Sequence, residues 1–231
     1  MYPFFYYDRT YALILIGAIL TTLASAKINS TYKRYGSVRA MSGLTARDAA
    51  ERILRMNGIY DVKIYRTRGH LTDHYIPSKK ELYLSDTTYD STSIAAIGVA
   101  AHECGHAIQH EVGYTPIVIS QMLYPICSIG SNLGMPILIL GMIFSIGPLV
   151  KIGVLLFGLG VVISLVTLPI EYNASNRALR ILDETGMLTT EELYGTRKVL
   201  RAAGLTYVAS AAAAILSLLR MLILTRSERD D

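Results

Sequence analysis

Charged residues are spread so unevenly along this 231-residue chain that its layout can be read from where they are missing. Four stretches contain no Asp, Glu, Lys or Arg: Thr10 to Ala26, Val112 to Val150, Ile152 to Ile170 and Ala202 to Leu219. A helix crosses a bilayer with about 20 mostly apolar residues, in a range of roughly 17–25. The second run is 39 residues long, too much uncharged chain for the core of a soluble domain of this size. The third is of spanning length, the fourth reaches it if Arg220 snorkels towards the surface or faces protein, and the first lies at the short end. Pro116, Pro125, Pro136 and Pro148 punctuate the second run and predict kinks or irregular backbone there.

The polar intervals have their own periodicities. Thr45 is placed to cap a helix over Ala46 to Met56, with Asp48 in its first turn and Gly58 just past its end. Residues 61–67 alternate, with Val62 and Ile64 inward, and predict a strand. Residues 68–79 read as a loop with Gly69 and Pro77. Residues 81–85 predict a second strand with Leu82 and Leu84 on one face; it could offer an edge to an extended chain or be ordinary sheet core. A helix is expected from near Ser91 to about His110, with Ile94, Ile97, Ala101, Cys104 and Ile108 as its apolar stripe. Gly105 is costly inside that helix and predicts close approach by another backbone or side chain. Residues 170–184 continue helically out of the third run, and Thr189 with Glu192 forms a capping box for the next helix.

The expected fold class is a mainly helical α+β membrane protein with about four transmembrane helices and a small unit containing a short sheet. Its expected parts are an N-terminal anchor (1–26), a segment bearing the sheet and the long polar-flanked helix (27–115), a transmembrane hairpin (116–170), a pair of helices (171–204) and a last span with its tail (205–231).

Composition agrees with the bilayer as a partner: 52% of residues are hydrophobic and only 17% charged. Lys and Arg number 12 in residues 27–114 and 5 in 171–204, whereas Arg9, Lys151, Arg226 and Arg229 fall on the other side. The positive-inside bias therefore puts the two polar segments in the cytoplasm and both termini outside. Ala24-Ser25-Ala26 resembles a signal-cleavage site, but Asp8 and Arg9 give no positive excess before the run, so an uncleaved anchor is preferred. The net charge of +4 reads as membrane orientation. With no basic helix or aromatic-interleaved basic stripe, nucleic acid is not an expected partner. Cys104 and Cys127 form no CxxC pair and exclude a disulfide framework.

The candidate chemistry lies in "AAHECGHAI". His102 and His106 are one helical turn apart, so both imidazoles can address a single ion. Glu103 between them can take a proton from a water on that ion. Catalytic zinc uses three protein ligands, which calls for one more residue on the same side of the membrane. Glu171 directly follows the third apolar run, where a carboxylate is either functional or a plain headgroup-level helix end. His70, Asp73 and His74 show no ligand spacing and read as a surface loop, and His110 as a helix-end residue. Tyr207 and Arg177 are weak candidates for an oxyanion donor.

"AAHECGHA" together with "LPIEYNASNRAL" resembles the gluzincin membrane peptidases, among them the heat-shock membrane protease and the CAAX prenyl protease. More narrowly, "GLTARDAAERIL", "GHLTDHY", "YLSDTTYDSTSIAAIGVAAHECGHA" and "AGLTYVASAAA" are similar to the YugP-type membrane zinc metallopeptidases of bacteria. The resemblance implies a zincin-like unit, Zn2+ as cofactor, His102, His106 and Glu171 as metal ligands and Glu103 as catalytic base. It also implies an endopeptidase of the bacterial inner membrane; the place of the motif beside the apolar runs points to membrane-associated proteins or peptides as its substrates. The wider group's second motif, E-x-x-x-D-x-x-A, is met by Glu171 and Ala178, but Ser175 stands at the aspartate position. A hydroxyl would then have to orient a ligand where a carboxylate usually does. The alternatives are a zinc-binding membrane scaffold without peptidase activity and, less favoured for want of ionisable residues in the runs, a transport component.

Overall fold

The computed structural model describes residues 9–227. The chain divides into two compact units, one built from Ser25–Ile119 and Thr167–Leu205, the other from the described residues up to Ala24, Ser120–Val166 and those from Thr206 onward.

Four helices among the described residues are long and apolar enough to cross a membrane: α1 (Tyr11–Gly36), α4 (Thr115–Ile143), α5 (Gly147–Glu184) and α6 (Thr190–Ser227). Their apolar stretches dominate the second unit, where large aliphatic side chains such as Leu15, Ile129 and Leu155 point outward. Such a surface is stable only against lipid. Within this unit α4 and α5 pack backbone to backbone. A Cβ on Gly134 would lie 2.5 Å from the Phe157 amide nitrogen, and one on Gly153 2.5 Å from that of Leu138. Small residues permit this approach, and dispersion between closely spaced helices replaces the hydrophobic effect that lipid removes. Within residues 112–150 the backbone leaves the helix at 112–114 and at 144–146, where Gly113 and Ser145 turn the chain with φ 60° and 54°. Pro116 and Pro148 fall in the first turns of α4 and α5, where a missing N–H costs nothing. Pro125, Pro136 and Pro169 sit inside helices that remain continuous.

The first unit contains α2 (Ala46–Met56), β1 (Lys63–Thr67), β2 (His74–Ile76), β3 (Glu81–Ser85) and α3 (Ile94–Glu111), joined by the inner ends of the long helices. Thr45 caps α2, its hydroxyl accepting from the Asp48 N–H at 3.1 Å. Ser93, two residues later than expected, caps α3 and accepts from the Ala96 N–H at 3.2 Å. The capping box forms as the spacing predicts: Thr189 N–H donates to Glu192 at 2.8 Å and Glu192 N–H to the Thr189 hydroxyl at 3.3 Å. The second Glu192 oxygen accepts from the Met41 N–H at 2.7 Å, tying the approach to α2 onto α6.

The sheet corrects the sequence reading at residues 74–76 and decides between the two readings left open for residues 81–85. Its order is β1-β3-β2, with β1 parallel and β2 antiparallel to β3. Residues 74–76, expected in a loop, therefore form a strand, and β3 lies in the centre with no edge to offer. Ile64 and Tyr75 flank Leu82 from either side. Leu82 and Leu84 of β3 then join Ile53 of α2, Ile97 and Cys104 of α3 and Leu182 of α5 in a fully buried core. This core holds the histidine helix against α5.

Candidate metal centre

The crossing of α3 and α5 depends on one small residue. A Cβ on Gly105 would lie 2.6 Å from the Ala174 carbonyl oxygen, closer than any side chain tolerates. Glycine costs about 1 kcal/mol in a helix interior, and here it admits the neighbouring backbone. That contact brings the residues on either side of it together. His102 and His106 flank Gly105 on α3, and Glu171 lies one turn before Ala174 on α5.

The three side chains converge. His102 Nε2 is 3.1 Å from Glu171 Oε2, His106 Nε2 is 3.2 Å from His102 Nε2, and His106 Nε2 is 3.5 Å from Glu171 Oε2. Two ligands about 2.0–2.1 Å from a tetrahedral zinc ion are separated by roughly 3.3–3.4 Å. The observed edges bracket that length, and two imidazole nitrogens with one carboxylate oxygen suit zinc. The donor set therefore fits the ion, and these three residues could hold it.

Each imidazole is held from behind. The Gln109 carbonyl oxygen can only accept, so at 3.0 Å it takes the N–H of His106 Nδ1. This leaves the Nε2 lone pair facing the other two side chains. Gln109 is itself fixed, donating to the Ile170 carbonyl at 2.8 Å and to Asn173 Oδ1 at 3.0 Å. Asn173 in turn accepts from Arg177 Nε at 2.7 Å. His102 Nδ1 lies 3.1 Å from the Ser175 hydroxyl, so the residue at the expected aspartate position does touch a candidate ligand. Sequence reasoning missed Gln109 and Asn173. The available signal was the spacing of Gln109, three residues beyond His106 and hence on the same face of α3.

Burial and charge act on the same groups. Glu103 is buried, and desolvation pushes its carboxyl upward against the pull of His102 and His106, with Glu171 and Asp73 adding to the rise. Burial pushes His106 down, but Glu171 and Glu103 outweigh it and carry the imidazole up to about 9.

The remaining candidates have other partners. Asp73 accepts from the Ser85 N–H at 2.7 Å, the Ser85 hydroxyl at 3.0 Å and the Thr88 hydroxyl at 3.2 Å, fastening its loop to the end of β3. His70 meets the Thr87 hydroxyl at 3.2 Å, and His74 donates to the Thr72 carbonyl at 2.8 Å and stacks on Tyr83. His110 pairs with the Tyr75 hydroxyl at 3.1 Å. Arg177 is engaged with Asn173, and Tyr207 lies in α6 in the other unit. A cavity of about 550 Å3 opens beside Glu171, lined also by Tyr172, Ser175, Arg180, Arg197 and Arg201.

Residues 10–226 match a family model described as "putative neutral zinc metallopeptidase". A relative from Bacillus subtilis (strain 168), named "putative membrane protease YugP", is 40% identical over 212 residues, which is 92% of this chain and 94% of the relative. No solved structure matches the chain.

Proposed function

From the premise that this chain belongs to the neutral zinc metallopeptidase family, we propose that it is a multi-pass endopeptidase that hydrolyses membrane-associated proteins or peptides. The observation that carries this reading is the convergence of His102, His106 and Glu171 at the edge lengths of a tetrahedral zinc site. Zinc held there would lower the pKa of water to about 7 and polarise a peptide carbonyl.

The chain's own residues do the rest. A Glu103 oxygen takes the proton from the attacking water and passes it to the leaving amine nitrogen. Its burial raises its proton affinity and makes it a stronger base than a solvated carboxylate. Gln109 and Ser175 keep the two imidazoles from turning. The cavity beside Glu171 is open to an incoming chain, and the Lys and Arg distribution supports a cytoplasmic placement of this unit at a bacterial inner membrane.

The test is Glu103→Gln in the full-length protein purified in detergent, with metal content and peptide cleavage measured on the same sample. Cleavage should fall by about 10²–10⁴-fold while zinc is retained, and a chelator should abolish it in the wild type. Zinc binding without chelator-sensitive cleavage of any peptide would favour the non-enzymatic scaffold instead. Undiminished cleavage by the Gln variant would remove Glu103 from the mechanism.

A further inference from the structure

Lys27 is the first charged residue after the apolar run of α1, and Arg201 is the last before the apolar run of α6. Both line one cavity of about 480 Å3, together with Arg34 from α1, Lys198 from α6, and the apolar side chains of Ala202 and Leu205. Four cations line it and no carboxylate does. Among the described residues none of the four lies in an ion pair. Two of them instead rest on aromatic rings: Lys198 Nζ is 4.2 Å from the Tyr194 ring centre and Arg34 5.5 Å from that of Tyr35. The Ser30 and Thr31 hydroxyls are turned onto the Lys27 carbonyl, at 3.0 and 2.7 Å. Lys198 also meets the Tyr194 and Tyr35 hydroxyls, so the donors left for a ligand are its remaining ammonium protons and the Lys27, Arg34 and Arg201 groups.

Four like charges around one hollow repel one another unless an anion joins them. Among the described residues no carboxylate lines this place, so the anion is sought outside the chain. Phosphate fits the donor set, since guanidinium groups take its oxygens in pairs and ammonium groups add point charge. The flanking positions narrow the source. Each helix enters an apolar run immediately beside the cavity, and Leu205, the first large residue of the α6 run, is half exposed in its wall. Basic pockets at this level between spanning helices meet lipid headgroups. We propose that the cavity between α1 and α6 binds the phosphate of an anionic phospholipid, with Leu205 against the start of an acyl chain.

The inference is independent of peptidase activity and is tested without it. Full-length protein is stripped of lipid in an uncharged detergent and offered phosphatidylglycerol or phosphatidylcholine, and bound lipid is counted by native mass spectrometry. Phosphatidylglycerol should be retained at least tenfold more strongly. Replacing Lys27→Gln together with Lys198→Gln should weaken that retention about fivefold for each charge lost, or roughly 25-fold. Lys27→Arg with Lys198→Arg should preserve it, and so should Lys63→Gln with Lys79→Gln, which removes the same charge elsewhere in this unit. Equal retention of the two lipids would overturn the proposal. So would a Lys63/Lys79 variant as weak as the cavity variant, because binding would then follow overall charge. Displacement of phosphatidylglycerol by millimolar inorganic phosphate would identify a free anion as the occupant and equally overturn it.

Discussion

In the unit that carries the candidate metal centre, Ile53, Leu82, Leu84 and Leu182 have no exposed surface; in the unit that carries the apolar stretches of the long helices, Ile129 is 64% exposed. The same side-chain chemistry obeys opposite rules because the two units face different solvents. Burial of aliphatic groups away from water contributes roughly 25 cal/mol per Å2 and holds the first unit together. Lipid offers no such drive, so the second relies on close contact of glycine-lined helices, as at Gly134 and Gly153. Exposure alone therefore says nothing about a residue's worth until the solvent is named.

This contrast can be broken by moving charge. Ile129→Lys, midway along α4, should destabilise the inserted protein by about 2.5–3.5 kcal/mol, seen as a collapse in membrane-inserted yield. Met41→Lys, at the still more exposed 83%, should stay within about 0.5 kcal/mol by thermal unfolding in detergent. Similar losses at both sites would mean that the two units do not differ in solvent.

Proton competition sharpens the side with the candidate metal centre. His106 sits at about 9 without metal and must lose a proton to become a ligand. Its raised value favours the protonated form at all lower pH, so zinc affinity should rise with pH and level off near that value. Between pH 8 and pH 6 it should drop about 100-fold in a chelator-competition titration, a tenfold loss per unit. A flat profile would show that the imidazole is already neutral. A smaller effect is expected one contact further out. Gln109→Ala strands His106 Nδ1 and removes the tie to the Ile170 carbonyl, and should lower zinc affinity about 10–100-fold, whereas Ser175→Ala, which removes one hydroxyl contact, should fall at or below the bottom of that range. Unchanged affinity in the Gln109 variant would deny it the positioning role.

What could be read from the sequence was what is local. Caps at Thr45 and Thr189, the one-turn spacing of His102 and His106, and the charge-free runs are each decided within a few residues. Gly105 announced a close neighbour without naming it, since Ala174 is 69 residues away. The strand at His74–Ile76 escaped because three residues cannot display alternation, and it exists through pairing with β3. Whether β3 was an edge or a centre depended on where β1 and β2 lay, which no property of residues 81–85 records. Asp73 looked like an ordinary loop carboxylate, yet its three acceptor contacts to Ser85 and Thr88 are what fix that loop. Gln109 offered only its spacing from His106: a neutral amide shows what it orients once its partners arrive from another helix.

Gly105 sets a tolerance that side-chain packing cannot. Where two helices meet through rotatable groups, a change of a methylene is absorbed by a new rotamer and the axes stay put. Here peptide unit rests on peptide unit, with the Ala174 carbonyl filling the space a methyl would need. Any larger residue must shift one helix bodily, and the 3.1 Å spacing between His102 and Glu171 would open with it. The bite of the candidate metal mount is thus gauged by an atom that is absent, at a position that offers no ligand of its own.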